Sequence, residues 1–330
     1  IDWTIPGEGK VVFSSGNLTQ SCIGPEGDLK DIPTDIRSKY SIPNANNMIT
    51  LRSDILSSIV AHEISKTIDP EFQFRGEQYP LGGVYKVWSG PSHLGDKRPY
   101  IMLAFSPNGA LDGINKNFIS QAIERTSGEV KMAQFAFSSK TIDEALLKRA
   151  SLEKKNNGKF DFKSVGDTPF AMQFWSIFLK MSGLERIQSE DKTPAPYTLI
   201  QDSEWKNILG ETEFLRLREM IKIAPSVFGK HSVEYQDATY EATSKIHHKF
   251  LITGNNENKI VVTGSFNFST GAESNQEYIL LTNDDLITTS LEAAFDYLHA
   301  SSKKAVYQEA ERRNKYHDFE DDTDPNVEKE

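Results

Sequence analysis

Two widely separated stretches of this chain follow one plan, and that echo restricts the fold more than any other feature. Near the start, Lys10-Val11-Val12-Phe13-Ser14-Ser15-Gly16-Asn17-Leu18-Thr19 reads as a strand running into a Ser/Gly/Asn turn. A polar loop, a strand-like run Asn47-Met48-Ile49-Thr50-Leu51 and a helix with Ile55, Ile59 and Ile64 on one face come next. Late in the chain, Ile260-Val261-Val262-Thr263-Gly264-Ser265-Phe266-Asn267-Phe268-Ser269 repeats the first piece, Glu277 to Leu281 the second, and a helix bearing Leu291, Phe295 and Leu298 the third. Generic β propensity would not reproduce the turn chemistry as well as the order, so the repetition points to duplication. It predicts that the two copies pack about a pseudo-two-fold axis, with Asn17 and Asn267 near one cleft.

The stretch between the copies alternates strands and helices. Ile101 to Phe105 and Val130 to Phe137 read as strands. Leu111, Ile114, Phe118, Ala122 and Ile123 form a helical stripe, as do Ile142, Ala145, Leu146 and Ala150. That alternation predicts an α/β sandwich with a parallel or mixed sheet. The segment 151–237 is less regular, helical and aromatic around Phe170 to Leu184 with a loop near Pro194 to Pro196, and reads as an elaboration beside the core. The expected organisation is an incomplete first half over 1–95, a second half over 96–308 and an acidic tail over 309–330.

At 330 residues, 38% hydrophobic and 25% charged, the composition is that of a globular protein able to bury one large core or two. No apolar run approaches the roughly 18 residues that span a bilayer. Cys22 is the single cysteine, so no internal disulfide forms, and no Cys/His spacing resembles a zinc site. No secretory leader is visible, although a mature exported chain would have lost one; a soluble protein of open compartment is expected, periplasmic or secreted locations included. The net charge of −10 argues against coating nucleic acid by charge alone. Seven acids between Asp318 and Glu330 face only Lys329, however, so the body is mildly acidic and leaves room for a local basic cleft.

The chemistry concentrates in Ile246-His247-His248-Lys249-Phe250-Leu251-Ile252. Alternation along a strand puts His247 and Lys249 on one face and His248 on the other. An imidazole can attack phosphorus while an ammonium group neutralises charge on the non-bridging oxygens. Alone, such a triplet is weak evidence, because a structural or surface histidine is commoner. Gly264-Ser265-Phe266-Asn267, one strand later, brings a hydroxyl and a carboxamide toward the same end of the sheet. His62, His93, His299 and His317 have no partner at catalytic or ligand spacing.

Together these residues resemble the phospholipase D superfamily motif, H-x-K, four residues, Asp, six residues, then G-S-x-N, and Gly264 to Ser269 is similar to its nuclease-like branch. The stretch from about Tyr100 to Ala150, with Phe105-Ser106-Pro107 and Phe135-Ala136-Phe137-Ser138-Ser139, looks like the opening βαβα of one half of that fold, and the early echo like the end of the other half. The resemblance implies an α-β-α sandwich with a mixed sheet and two pseudo-repeated halves. It implies a metal-independent phosphodiesterase, without cofactor, in which His247 forms a phosphohistidine, Lys249 and Asn267 bind phosphate, Ser265 assists, and Glu277 supports the histidine.

Two departures stand out. The family's aspartate position, five residues after the lysine, is Gly254, and the His247–Asn267 spacing is three residues longer than the pattern; both fall in the Gly254–Lys259 turn, where insertion is tolerated. Aligning Asn17 on Asn267 would place the partner of His247 just before Ile1, so the first HxK is not in this chain: either an upstream segment held it, or the early half is a degenerate partner that never had one. Ser15 and Asn17 either face the active site as substrate-binding groups or form a purely structural turn. A homodimer or an upstream segment would then complete a two-histidine site. Nucleic acid is the favoured substrate; phospholipid head groups are the alternative, and a catalytically degenerate phosphate-binding or scaffold protein is the third reading.

Overall fold

The computed structural model describes residues 6–15, 46–68, 83–88, 98–107, 113–156, 158–188, 194–223, 230–235, 238–243, 246–255 and 258–316. Cys22, Asn17, His93, His317 and the acidic run from Asp318 lie outside them.

The core is one mixed sheet of eight strands with helices on both faces. In chain order the strands are β1 (Lys10–Ser14), β2 (Met48–Arg52), β3 (Val84–Trp88), β4 (Tyr100–Ser106), β5 (Val130–Gln134), β6 (Phe162–Gly166), β7 (Leu184–Gln188), β8 (Pro194–Leu199), β9 (Ile221–Ile223), β10 (Lys230–Tyr235), β11 (Ala238–Thr243), β12 (Lys249–Thr253), β13 (Ile260–Gly264) and β14 (Glu277–Thr282). The helices are α1 (Asp54–Ile68), α2 (Ser120–Arg125, continuing a π turn over Asn115–Ile119), α3 (Lys140–Lys155), α4 (Thr168–Ala171), α5 (Ile177–Met181), α6 (Glu204–Leu209), α7 (Glu211–Met220), α8 (Asp285–Ser301) and α9 (Val306–Tyr316). The large sheet runs β3-β4-β14-β13-β12-β5-β6-β9, parallel only across β5-β6-β9.

Alternation along the strands divides the core by face. Ala104, Met132, Leu251, Val262, Ile279 and Leu281 point to the side covered by Ile114, Phe118, Ile142, Leu146, Phe178 and Trp205. Ala133, Phe250, Ile252 and Val261 point to the opposite side, where Leu291, Phe295 and Leu298 of α8 cover them as their spacing predicts. Beside α8, Ile101, Leu103 and Leu280 are covered by Val11 and Phe13 of β1 and Leu56 of α1.

The echo exists as secondary structure: β1-β2-α1 and β13-β14-α8 share order, and both strand pairs are antiparallel. Their settings differ, since β1-β2 is a separate two-stranded sheet whereas β13-β14 lies inside the large one. The expected face of α1 is corrected. Ile55 and Ile64 are exposed, and Leu56 with Ile59 and Val60 meets the core instead, because that set follows the i, i+3, i+4 spacing of one helical face. The segment 151–237 is also more than an addition. Its β6 and β9 extend the main sheet and its Phe162, Phe178 and Trp205 lie in the main core, while the hairpins β7-β8 and β10-β11 stand apart as two-stranded sheets. β3, from the early segment, pairs with β4 across the expected boundary near residue 95, and α9 carries folded chain with buried Glu309 and Arg313 into the expected tail.

Candidate functional site

Strand direction collects the chemistry at one end of the sheet. β12 begins at Lys249, opposite the Gln134 end of antiparallel β5, and the parallel β6 ends beside it at Gly166. β13 runs antiparallel to β12 and leaves the sheet at Gly264, next to the start of β14 and the Ser106 end of β4. His247, Lys249, Ser265, Asn267 and Glu277 therefore share an end without being close in sequence. Gly264 is required by the approach of strands here: a Cβ would lie 2.2 Å from the Tyr278 carbonyl oxygen.

His247 and His248 precede β12 rather than lying within it, and the lead-in is tied down on both sides. The Phe135 amide donates to the His248 carbonyl at 2.9 Å, and the Ile246 amide donates to Asp167 Oδ2 at 3.0 Å. Asp167 precedes α4 at an N-cap position, yet its side chain makes no cap bond there. Its carboxylate holds the histidine segment instead, a role invisible in sequence because Asp before Thr-Pro reads as an ordinary helix start.

His247 Nδ1 lies 2.7 Å from the Ser15 carbonyl oxygen. A carbonyl only accepts, so this contact is a hydrogen bond in the Nδ1–H tautomer, which leaves the lone pair on Nε2. The Lys249 ammonium lies 3.0 Å from Nδ1, 3.3 Å from Nε2, 3.1 Å from the His247 carbonyl and 3.4 Å from the Ser15 carbonyl. It also sits over the Phe135 ring, 5.0 Å from its centroid, and that ring packs 4.6 Å from the imidazole. An anionic oxygen on this ammonium would thus stand beside the imidazole ring. Lys249 is only 3% exposed, and an ammonium held that deeply is costly unless it is used.

The remaining expected residues divide. Asn267 is half-buried, and its Oδ1 is a buried acceptor with no hydrogen-bond partner among the described residues. Ser265 Oγ accepts from the Tyr278 amide at 3.1 Å, which leaves its O–H to donate. Glu277 opens β14, and its amide donates to Ser106 Oγ at 3.2 Å. Of the two readings of Ser15, substrate binding or a structural turn, the hydroxyl's setting favours the turn: it is buried, accepts from the Asn47 amide at 3.0 Å and donates to Asn46 Oδ1 at 3.4 Å. What Ser15 brings to the site is its carbonyl. Asn17 lies outside the described residues.

Gly254 has a physical reason to stand where the motif has aspartate. It caps the far end of β12 at φ +109, and a Cβ would meet the Asn258 carbonyl oxygen at 2.4 Å. An aspartate would be strained there and displaced from the His247 end by the length of the strand.

His248 belongs to the opposite face. It is buried against Phe250 and its Nδ1 lies 3.3 Å from Asn47 Oδ1, while Asn47 Nδ2 donates to Thr263 Oγ1 at 2.9 Å. Burial, and then the charge of Lys249, push its pKa down to about 3 from an ordinary 6.5. The unfolded chain protonates this histidine below about pH 6.5 while the folded chain does not, so its contribution to stability is present above that pH and is lost on acidification toward pH 3. Urea unfolding at pH 7, 5 and 4 should lose about 1 kcal/mol per pH unit from this source, and His248→Gln should flatten that slope. Equal slopes would assign the acid sensitivity elsewhere.

Residues 211–299 match the family model described as cardiolipin synthase, PLD-like domain. Among solved structures, the chain is similar to NucT from Helicobacter pylori, at 16% identity and a TM-score of 0.38 over 62% of this chain and 98% of that one. It is similar to Nuc, a phospholipase D family member from Salmonella typhimurium, at 16% identity and 0.32 over 62% and 96%. It is also similar to phosphatidylserine synthase from Haemophilus influenzae Rd KW20, at 10% identity and 0.48 over 94% and 63%. No curated protein matches. No helix among the described residues is long and apolar enough to cross a membrane.

Proposed function

We propose that this chain, whose residues 211–299 match the PLD-like domain model, is a metal-independent phosphodiesterase that acts through a phosphohistidine at His247, with nucleic-acid phosphodiesters as the favoured substrate. The observation that carries this reading is the pairing of His247 Nδ1 with the Ser15 carbonyl while the Lys249 ammonium lies against the same imidazole, within 3.3 Å of Nε2. Nε2 attacks phosphorus, a P–N bond forms, and the P–O bond to the leaving group breaks. Lys249 and the Asn267 carboxamide hold the non-bridging oxygens as charge gathers on them. Water then attacks phosphorus, the P–N bond breaks, and the imidazole returns to its starting tautomer. The leaving oxygen takes its proton from a second copy of the chain, from a segment upstream of Ile1, or from water.

Charge compensation by an ammonium group removes the need for a divalent ion, so cleavage should persist in EDTA. Single-stranded DNA, RNA and phosphatidylcholine tested side by side separate the substrate classes. Quenching with a labelled phosphodiester should place the label on His247. Label on another residue, or EDTA-sensitive turnover without a covalent adduct, would overturn the mechanism. Phospholipid is the second reading, favoured by the cardiolipin synthase description of the matching family model, and cleavage of phosphatidylcholine alone would select it.

A further inference from the structure

Aromatic rings extend outward from the phosphate-facing pair. Phe135, whose ring carries the Lys249 ammonium and packs against His247, lies 4.2 Å from the Phe170 ring, and Phe170 lies 6.1 Å from Trp175. Phe135 follows β5 directly, while Phe170 and Trp175 come from the chain after β6, which runs parallel to β5 and ends at the same edge. Phe135 is half-buried, Phe170 is buried, Trp175 is half-buried and the adjacent Phe174 is 46% exposed, so the aromatic run reaches the surface at its outer end. In sequence these rings are interleaved with Thr168, Gln173 and Ser176 as well as Pro169, Ala171 and Met172.

From this arrangement, and resting on the reading of His247 and Lys249 as a phosphate site, we infer that Phe174 and Trp175 form a stacking shelf for the nucleobase next to the scissile phosphate of a single-stranded nucleic acid. A base needs a flat π surface within one nucleotide of the bound phosphate and polar groups at its edges, and stacking tolerates any sequence because every base has a π face. An acyl chain needs continuous aliphatic surface, whereas the exposed side chain at the end of this run, Phe174, is aromatic. A duplex keeps its bases stacked on one another and cannot present one to the shelf. The shelf also answers the charge of this acidic chain. Where net charge does little to attract nucleic acid, affinity must come from local contacts, and an exposed aromatic pair beside one buried cation provides them.

The test is a binding measurement in the His247→Asn background, so that no probe is consumed and the outcome does not depend on turnover. Fluorescein-labelled oligo(dT) is compared with an abasic oligonucleotide of equal length by anisotropy. Oligo(dT) should bind about tenfold more tightly than the abasic strand; Trp175→Ala should remove most of that difference without changing abasic binding, and Trp175→Phe should restore it. Phe174→Ala should act in the same direction. Equal affinity for the two strands in the parent protein, or an equal loss of both in Trp175→Ala, would overturn the shelf. So would a Trp175→Ala variant that loses phosphatidylcholine vesicles while keeping oligo(dT), which would identify the rings as a lipid contact. Failure of the phosphohistidine reading would appear separately, as absent label on His247 with base-dependent binding intact.

Discussion

Replacing His247 with alanine or asparagine should lower phosphodiester turnover by about 10⁴-fold or more, because no described neighbour supplies a second nucleophile at Nε2. The fold should survive. The imidazole is half-buried, and its described contacts are the Ser15 carbonyl, the Lys249 ammonium and the Phe135 ring, none of which anchors a hydrophobic core. Circular dichroism should be unchanged and the urea midpoint should move by no more than about 1 kcal/mol. Retention of more than a few per cent of wild-type turnover would remove His247 as nucleophile. The neighbouring His248 is the natural control. It sits on the other face with its proton affinity suppressed by burial, so His248→Gln should lose far less activity than either His247 variant.

The second large effect concerns Lys249. Lys249→Met keeps the aliphatic stem against Phe135 but removes the cation, and kcat should fall by about 10² to 10³, the range for deleting one group that stabilises developing charge. Stability should change little. The 3% exposed ammonium carries a desolvation cost that methionine does not, while its contacts with the His247 and Ser15 carbonyl oxygens are lost, so the urea midpoint should move by no more than about 1 kcal/mol. Loss of activity together with loss of stability would mark Lys249 as structural. Lys249→Arg should not restore turnover, because the planar guanidinium does not fit the point contacts with Nε2 and two carbonyl oxygens at 3.1 and 3.4 Å.

Local patterns made several elements legible in the chain. The Leu291, Phe295, Leu298 stripe and the Ile142, Ala145, Leu146, Ala150 stripe are core faces because helical period alone decides which side chains line up. The same reasoning failed at α1, where three isoleucines suggested a face that 100° per residue does not place together. It failed again at 151–237, since the irregular text there hides two short strands whose partners, β5 for β6 and β6 for β9, are far away in sequence. A strand of three residues such as Ile221–Ile223 has no periodicity of its own and exists because a neighbouring edge pairs with it.

The division at the site follows the same line. His247, Lys249, Ser265, Asn267 and Glu277 could be picked out as candidates because sequence records side-chain identity directly, and the topology brings these positions to one end of the sheet. Sequence also records that Gly254 interrupts the motif, but only the positive φ of that turn and the Asn258 carbonyl beside it explain why glycine stands there. The groups that orient the histidine could not be read at all. Ser15 acts through a carbonyl, which every residue possesses, and Asp167 acts through an amide 79 positions away. Backbone groups carry no sequence signature, and contacts across the sheet edge depend on which strand ends the topology brings together. The residue types of the chain thus determined which side-chain groups are available; tertiary structure alone decided what each imidazole nitrogen faces, the Ser15 carbonyl at 2.7 Å from Nδ1 and the Lys249 ammonium beside both, because those contacts join strand ends far apart in sequence.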